Sequence, residues 1–271
     1  MNTNSHVINT FSYIWRQPVD QCVQHLADQG FREFEILLTA PHLWPASFGT
    51  CARRKLIGTL DQTNSTVISL NAGGFDNNLV SPAKDVRART RDYLRRVIDL
   101  ANDLGAKFVV MSPGAARPLL PPPREWLLEW FREGVALLAR HADATDVKLL
   151  IENIPFAFLP RAENLITAIA DLPLNRVGVI YDVANAVYAR EDPIEGLKHV
   201  ASRLDLVHLS DTPLDTWRHD AVGRGVVPFE RFGVALRGYN YRGPVVLEII
   251  SDDPDHAIRE SIQALSRLGW R

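Results

Sequence analysis

The chain has 271 residues, with 30 Lys and Arg against 32 Asp and Glu, so its formal net charge is −2. This near-neutral balance argues against a dedicated nucleic-acid-binding protein, and 46% hydrophobic with 23% charged residues excludes a disordered chain. The two cysteines, Cys22 and Cys51, have no CxxC spacing, so neither a disulfide framework nor a thiolate zinc site is predicted. We find no signal-peptide or membrane-spanning pattern and expect a protein of the reducing cytoplasm.

Short β-rich runs alternate with amphipathic segments along the whole chain. The predicted strands are Val7–Tyr13, Glu33–Thr39, Thr66–Asn71, Lys107–Ser112, Lys148–Asn153, Val177–Asp182, Leu204–Ser210 and Val245–Ile250. The predicted helices are Pro18–Gln29, one after a turn within Pro41–Asp61, one from Ser81-Pro82 to Gly105, then Arg124–Ala142, Arg161–Ala170, Pro193–Ser202, Pro228–Leu236, and a last one from Asp253 to Gly269.

Eight strand–helix units average about 34 residues each, which is the period of a (β/α)8 barrel of ~250 residues. Several strands are apolar almost throughout, as expected of parallel strands that are covered on both faces. A doubly wound open sheet would alternate in the same way, but no glycine-rich fingerprint follows the first strand. The proline-rich run Pro118–Pro123 indicates a stiff loop rather than a boundary. The sequence therefore predicts an α/β fold, a single (β/α)8 TIM barrel over residues 1–271.

Ionisable residues stand near the carboxyl ends of four consecutive predicted strands: Glu152, Asp182, His208 and Glu248. Active sites of such barrels lie at this end of the strands, where four converging ionisable groups would be costly without a cation. The oxygen-rich set favours one Mn²⁺ or Mg²⁺ ion, with Co²⁺ or Zn²⁺ as alternatives. Taken singly, each carboxylate could instead form a structural ion pair, and the histidine could be a satisfied core residue.

The motifs around these residues are Ile-Glu152-Asn, Tyr-Asp182-Val-Ala-Asn, Val-His208-Leu-Ser-Asp211, His219-Asp-Ala-Val-Gly223-Arg-Gly225 and Leu-Glu248-Ile. Their order and spacing resemble the xylose isomerase-like barrels. That superfamily includes sugar and sugar-phosphate isomerases and epimerases, inosose and 3-dehydroshikimate dehydratases, and AP endonucleases of the endonuclease-four type. The resemblance implies one divalent ion on the four residues above, with Glu152 and Glu248 moving protons on opposite faces of the substrate. Asp182 and His208 would be mainly ligands, with Asp211 behind them.

Departures from the family pattern narrow the function. The AP endonucleases hold three metals, and this chain has Ser112-Pro113-Gly114, Asn185 and Trp217-Arg218-His219 where the resemblance would require further ligands. Phosphodiester cleavage is therefore disfavoured. The ketohexose 3-epimerases have a His at the position of Asn185 and a Glu at that of Phe158, so a close ketohexose epimerase is not expected, although related chemistry stays open.

These observations predict a single-metal enzyme that isomerises or epimerises a sugar or sugar phosphate. It would remove the proton next to a carbonyl and pass through a metal-stabilised enediolate. A metal-dependent dehydratase is the alternative, ahead of a nuclease or a non-catalytic sugar-binding barrel. The expected partner is a small polyhydroxy carbonyl compound, with no nucleic acid and no membrane, and a homo-oligomer stays open.

Five further residues are candidate substrate contacts: His219, Arg224, Asn185, Glu35 and Trp44. Arg224 lies between glycines and could hold a carboxylate or phosphate with both arms of its guanidinium. For Glu35, Trp44, His219 and Arg224, a plain surface-loop or barrel-rim role is the alternative. The arginines between the third and fourth strands are predicted to form the solvent-exposed face of an outer helix: Arg87, Arg89, Arg91, Arg95 and Arg96.

Overall fold

Eight parallel strands close into a barrel in sequence order in the computed structural model, which describes residues 6–73 and 76–270. The strands are β1 Val7–Asn9, β2 Glu33–Leu37, β3 Thr66–Asn71, β4 Phe108–Met111, β5 Lys148–Glu152, β6 Val177–Asp182, β7 Leu204–Leu209 and β8 Val245–Leu247. Each strand pairs with its neighbours, and β8 pairs with β1. The predicted (β/α)8 TIM barrel is confirmed.

The helices surround the barrel. They are α1 Val19–Asp28, α2 Thr50–Thr63, α3 Lys84–Asp103, α4 Arg124–Ala142, α5 Ala162–Ile169, α6 Val183–Tyr188, α7 Pro193–Val200, α8 Phe229–Gly238 and α9 Pro254–Arg267. The short α6, which begins directly at the end of β6, is an addition to the predicted elements. Within the described ranges, none of the helices is long and apolar enough to cross a bilayer.

A small apolar cluster fills the barrel beneath its carboxyl-terminal end. Its buried members are Val7, Val110, Leu150, Ile180, Leu206 and Val246. Alternate residues of a strand face the same side, so the residue two positions after Leu150, Ile180, Leu206 or Val246 points into the barrel as well. Those residues are Glu152, Asp182, His208 and Glu248. The period of the strands thus places four ionisable side chains in one layer above an apolar floor.

Two strands end three or more residues earlier than predicted. β1 stops at Asn9, because the chain turns into a 3₁₀ helix at Phe11–Tyr13 and the side-chain oxygen of Asn9 accepts the N–H of Phe11 at 2.8 Å. β8 stops at Leu247, so Glu248 lies just past the strand, although its N–H still donates to the carbonyl of Leu209. The predicted continuations to Tyr13 and Ile250 are therefore wrong.

The start of α3 and the position of one arginine also differ from prediction. The helix begins at Lys84, because the Ser81 hydroxyl accepts the Ala83 N–H at 3.3 Å within a local turn. Arg87 is buried rather than exposed, and its guanidinium lies 4.5 Å from the centre of the Trp130 ring of α4. Arg89 and Arg96 are exposed as predicted, whereas Arg91 and Arg95 are half-buried.

Candidate metal centre and active site

The four predicted ligand residues meet at the carboxyl ends of the last four strands. Glu152 ends β5, Asp182 ends β6, His208 lies in β7 and Glu248 follows β8, and all four are buried. Sheet register places Asp182 directly beside His208. One ligand atom from each residue lies within 4.8 Å of the other three. This spacing is short enough for all four side chains to reach one ion.

The imidazole of His208 lies between the carboxylates. Its Nδ1 is 3.3 Å from Glu248 Oε2, 3.6 Å from Glu152 Oε1 and 3.7 Å from Asp182 Oδ2. Among the described residues, neither His208 Nδ1 nor Asp182 Oδ2 has a hydrogen-bond partner in good geometry. Buried polar atoms are rarely left unpaired, because the desolvation cost is then uncompensated. A divalent cation would satisfy His208 Nδ1 and Asp182 Oδ2 together, so the residues fit such an ion.

The electrostatics of the cluster favour positive charge at its centre. Burial raises the pKa of Glu152 to about 7. The neighbouring His208 acts to lower this pKa, whereas the Glu248 and Asp182 carboxylates act to raise it. For Asp182, burial acts in the same direction, but the neighbouring His208 and His219 and the Asn185 N–H keep the pKa below its ordinary value. Burial opposes protonation of His208, yet the Glu35 and Glu248 carboxylates raise its pKa well above the usual range.

Glu35 lies against His208 rather than against the substrate. It is fully buried, and its Oε1 is 2.7 Å from His208 Nε2. Asn9 Nδ2 donates to Glu35 Oε1 at 2.6 Å and to Glu248 Oε1 at 3.1 Å, and the Ser69 hydroxyl donates to Glu35 Oε2 at 2.6 Å. This geometry does not support the predicted substrate contact of Glu35. The residue instead orients His208 with Nδ1 toward the other carboxylates.

Asp211, expected behind the ligands, organises the loop after β7. Its Oδ2 accepts the N–H of Gly223 at 2.9 Å, and its Oδ1 accepts the N–H of Val227 at 3.0 Å. Its backbone pairs with that of Asp220. This pairing places the adjacent His219 at the centre, with His219 Nδ1 3.2 Å from Glu248 Oε2 and 3.0 Å from the Ser210 hydroxyl.

A cavity of about 410 Å³ opens over the centre. Of the four candidate ligands, Glu152 and Glu248 line this cavity, whereas Asp182 and His208 are fully buried and do not. The two glutamates are therefore the candidate ligands within reach of a substrate.

Three of the predicted substrate contacts also line the cavity. Asn185 Nδ2 donates to Glu152 Oε1 at 3.3 Å, and Asn185 Oδ1 accepts the Trp217 Nε1–H at 2.6 Å. His219 lies beside Glu248. Trp44 forms part of the wall and stacks on Tyr93 with ring centres 4.8 Å apart.

Sequence reasoning missed the aromatic residues of the loops after β1 and β5. Phe11, Trp15 and Phe156 line the cavity, as does Trp217, which had been considered only as a departure from the nuclease pattern. The signal was their position, because loops that follow barrel strands at the carboxyl end carry the active-site residues.

Arg224 lies outside this arrangement. It is not among the cavity-lining residues, and its Nη2 is 2.9 Å from Glu260 Oε2 of α9 with most of the side chain exposed. A surface ion pair accounts for this contact, and the predicted grip of Arg224 on the substrate finds no support in the geometry.

Comparison with known proteins agrees with the fold. A family model described as "Xylose isomerase-like TIM barrel" matches residues 23–268. The chain belongs to this family. The resemblance predicted from the sequence motifs is thereby confirmed.

Individual relatives of this xylose isomerase-like chain have different activities. Fructoselysine 3-epimerase of Shigella flexneri is 22% identical over 260 residues, 93% of each chain. A probable endonuclease 4 of Thermotoga neapolitana is 27% identical over 221 residues, 72% of each chain. Among solved structures, a D-tagatose 3-epimerase-like protein superposes with a TM-score of 0.84 at 18% identity, over 97% of this chain and 99% of that one. That structural likeness supports the fold alone.

Proposed function

We propose that the chain is a metal-dependent epimerase that inverts a carbon next to the carbonyl of a sugar. One observation carries the proposal: among the four buried ligand candidates, the two that face the cavity are both glutamates, from opposite ends of the β5–β8 quartet. Inversion requires one group to remove a proton and a second group to return a proton to the other face. Two carboxylates that both line the cavity are the chemical groups that such a pair requires.

Glu152, Asp182, His208 and Glu248 would hold one divalent ion, with Mn²⁺ or Mg²⁺ favoured by the three carboxylates. When bound, such an ion acts as a Lewis acid that polarises the carbonyl and acidifies the neighbouring C–H. One cavity-facing glutamate takes that proton, and the other delivers a proton to the opposite face of the enediolate. Asn185 donates a hydrogen bond to Glu152, and His219 is close enough to Glu248 to exchange a proton with it.

Two other activities, those of a dehydratase and of a nuclease, fit the contacts of this centre less well than an epimerase does. A dehydratase would begin with the same proton removal, but no particular contact in the cavity favours loss of a hydroxyl. The relative named as a probable endonuclease 4 makes a nuclease the second alternative. Against it, Asn185 and Trp217 are hydrogen-bonded to each other where that activity would need further metal ligands.

The test is solvent exchange. The Mn²⁺-loaded protein in D₂O should introduce one deuterium into a ketose next to the carbonyl and yield its epimer, whereas a dehydratase product would be lighter by one water. Glu152→Gln and Glu248→Gln should each lower kcat by ~10²–10⁴-fold, since positioned acid–base groups contribute that much. One variant should lose exchange on the substrate and the other on the product epimer.

Glu260→Gln is the matched control, because Glu260 pairs with Arg224 outside the cavity and its loss should leave kcat unchanged. A Glu152→Gln or Glu248→Gln protein that keeps its metal and near-normal turnover would show that the carboxylate is only a ligand.

A further inference from the structure

The cavity is polar near the candidate metal centre and aromatic toward solvent. The aromatic side chains that line it are Phe11, Trp15, Trp44, Phe156 and Trp217. Resting on the proposed epimerase function, we infer that the substrate is an uncharged keto sugar that carries an apolar, preferably aromatic, substituent at the end remote from the reacting carbon, and not a sugar phosphate.

The aromatic wall is exposed and held in place. Phe156 is 56% exposed and Trp15 73% exposed, and because both line the same cavity they belong to one exposed aromatic surface of the kind that marks ligand-binding grooves. Phe156 packs edge-on against Trp217 with ring centres 5.2 Å apart, and Trp217 is fixed by its hydrogen bond to Asn185. The wall is therefore a preformed surface, and its rings favour an aromatic partner in stacked or edge-to-face geometry.

The charges of the cavity disfavour an anionic substrate. Among its described lining residues there is no Lys or Arg, and the carboxylates are Glu152, Glu248 and, at the exposed rim, Asp76. A divalent ion would neutralise only two of the three negative charges of its carboxylate ligands. Two arginines of the loop after β7 have other partners, since Arg218 Nε lies 2.8 Å from Asp220 Oδ2 and Arg224 pairs with Glu260. A phosphate here would meet negative charge and no Lys or Arg among the described lining residues.

The backbone positions that often hold phosphate in TIM barrels are also taken. Such sites use N–H groups of the loops after strands seven and eight and a helix N-terminus beside them. In the loop after β7, the N–H groups of Gly223 and Val227 donate to the Asp211 carboxylate. After β8, the Asp253 carboxylate caps α9 and accepts the N–H of His256 at 3.3 Å. Two aspartates of the chain thus occupy three N–H groups of the kind that such phosphate sites use.

Cavity size agrees with a substituted sugar. A volume of about 410 Å³ lies in the ~300–1,000 Å³ range of sites that enclose drug-sized ligands. The sugar end of the ligand would reach the glutamates, and the substituent would lie between Phe156 and Trp15.

The experiment uses the full-length, Mn²⁺-loaded protein and compares three forms of one ketose: D-fructose, 6-O-benzyl-D-fructose and D-fructose 6-phosphate. The same three forms of each other D-ketohexose are then compared. Binding is measured by calorimetry and turnover by deuterium uptake from D₂O. We expect the benzyl form to bind at least tenfold more tightly than the unsubstituted sugar and to have the highest kcat/KM, with the phosphate weakest. Phosphate forms that bind as well as or better than benzyl forms, or no binding by any form, would overturn the inference.

Variants locate the effect. Trp15→Ala and Phe156→Ala should each lower kcat/KM for the benzyl sugar about tenfold more than for the unsubstituted one. Trp126→Ala is the matched control, since Trp126 is 51% exposed on α4 outside the cavity lining and its loss should leave both substrates as in the parent. A change of oligomeric state in Trp15→Ala by light scattering, with substrate preference unaltered, would assign the exposed rim to contact between copies and overturn the inference.

Failure of this inference and failure of the proposed function give different results. Deuterium uptake with a preference for phosphate forms would leave the epimerase standing and remove the apolar substituent. Selective binding of the benzyl form without deuterium uptake by any sugar would keep the apolar substituent and remove the epimerase function.

Discussion

Glu35 and His208 form the contact on which the geometry of the candidate centre depends. Both are fully buried, and Glu35 Oε1 is close to His208 Nε2, so the opposite ring nitrogen faces the other carboxylates. A carboxylate behind a metal-binding histidine fixes the ring and increases its basicity. The hydrogen bonds from Asn9 and Ser69 in turn hold Glu35.

We predict that Glu35→Gln weakens divalent metal binding by about 10–100-fold, which is the usual cost of losing such a partner. Glutamine keeps the size of the side chain but lacks the charge that favours a cation at the centre. The dissociation constant for Mn²⁺, measured in competition with a chelating dye, checks this. Glu33→Gln on the same strand is the control, since Glu33 is half-buried and lies outside the cluster. Equal constants for the two variants would mean that Glu35 has no role in metal binding.

Individual residues also mark what the sequence could and could not predict. The four ligand candidates were predictable because each belongs to a predicted apolar strand, where burying an ionisable side chain is costly unless it has a partner. The position of Glu35 was not, because the direction of its side chain depends on the irregular register between Phe34 and Glu35, a feature of pairing with β3. Arg224 looked functional between two glycines, but its partner Glu260 comes from a distant helix.

At the scale of elements, the periodicity of the sequence predicted the interiors of the strands and the presence of the main helices. It did not predict where these elements end. Hydrophobic runs specify the buried middle of a strand, whereas an end is decided by local competition such as the Asn9 side chain capturing the N–H of Phe11. The same holds for α3, where Ser81 closes a turn before the helix begins. The short α6 has too few residues for a helical period to be visible in the sequence.

Arg87 joins the start of α3 to α4, and this contact is testable. Its Nη1 donates to the carbonyl of Pro82 at 3.1 Å and also contacts that of Ser81, while the guanidinium lies over Trp130. Arg87→Ala should lower the free energy of unfolding by about 1–3 kcal/mol, from the lost stacking and from the Ser81 and Pro82 carbonyls left without this donor. Urea denaturation measures this change.

The neighbouring Arg89→Ala provides the comparison, because Arg89 is exposed and only pairs with Asp85 one turn away at 3.3 Å. Its effect should stay within about 0.5 kcal/mol. Equal stabilities of the two variants would place Arg87 on the solvent face, as the helical pattern alone predicted.

At the scale of the whole molecule, the barrel gathers charge in one half. Strands β5 to β8 each bring one ionisable residue to the same layer, and the apolar cluster below leaves these groups no water on that side. A bound cation would therefore bridge the ends of four adjacent strands. Without it, these strands place carboxylates side by side.

Metal binding should accordingly stabilise the whole barrel. A ligand that binds only the folded state at about 100 times its Kd adds ~2.7 kcal/mol. For a chain of this length that corresponds to a rise in Tm of roughly 5–10 °C over the chelator-treated protein. Calorimetry with and without Mn²⁺ measures the shift.

Asp182→Asn should lose most of the shift and most of the bound metal, because it removes a fully buried ligand charge while keeping an oxygen for the N–H of Asn185. Asp76→Asn, at the exposed rim, should keep both. An Asp182→Asn protein that retains one ion per chain and the full rise in Tm would move the metal away from this centre, and the roles proposed for Glu152 and Glu248 would go with it.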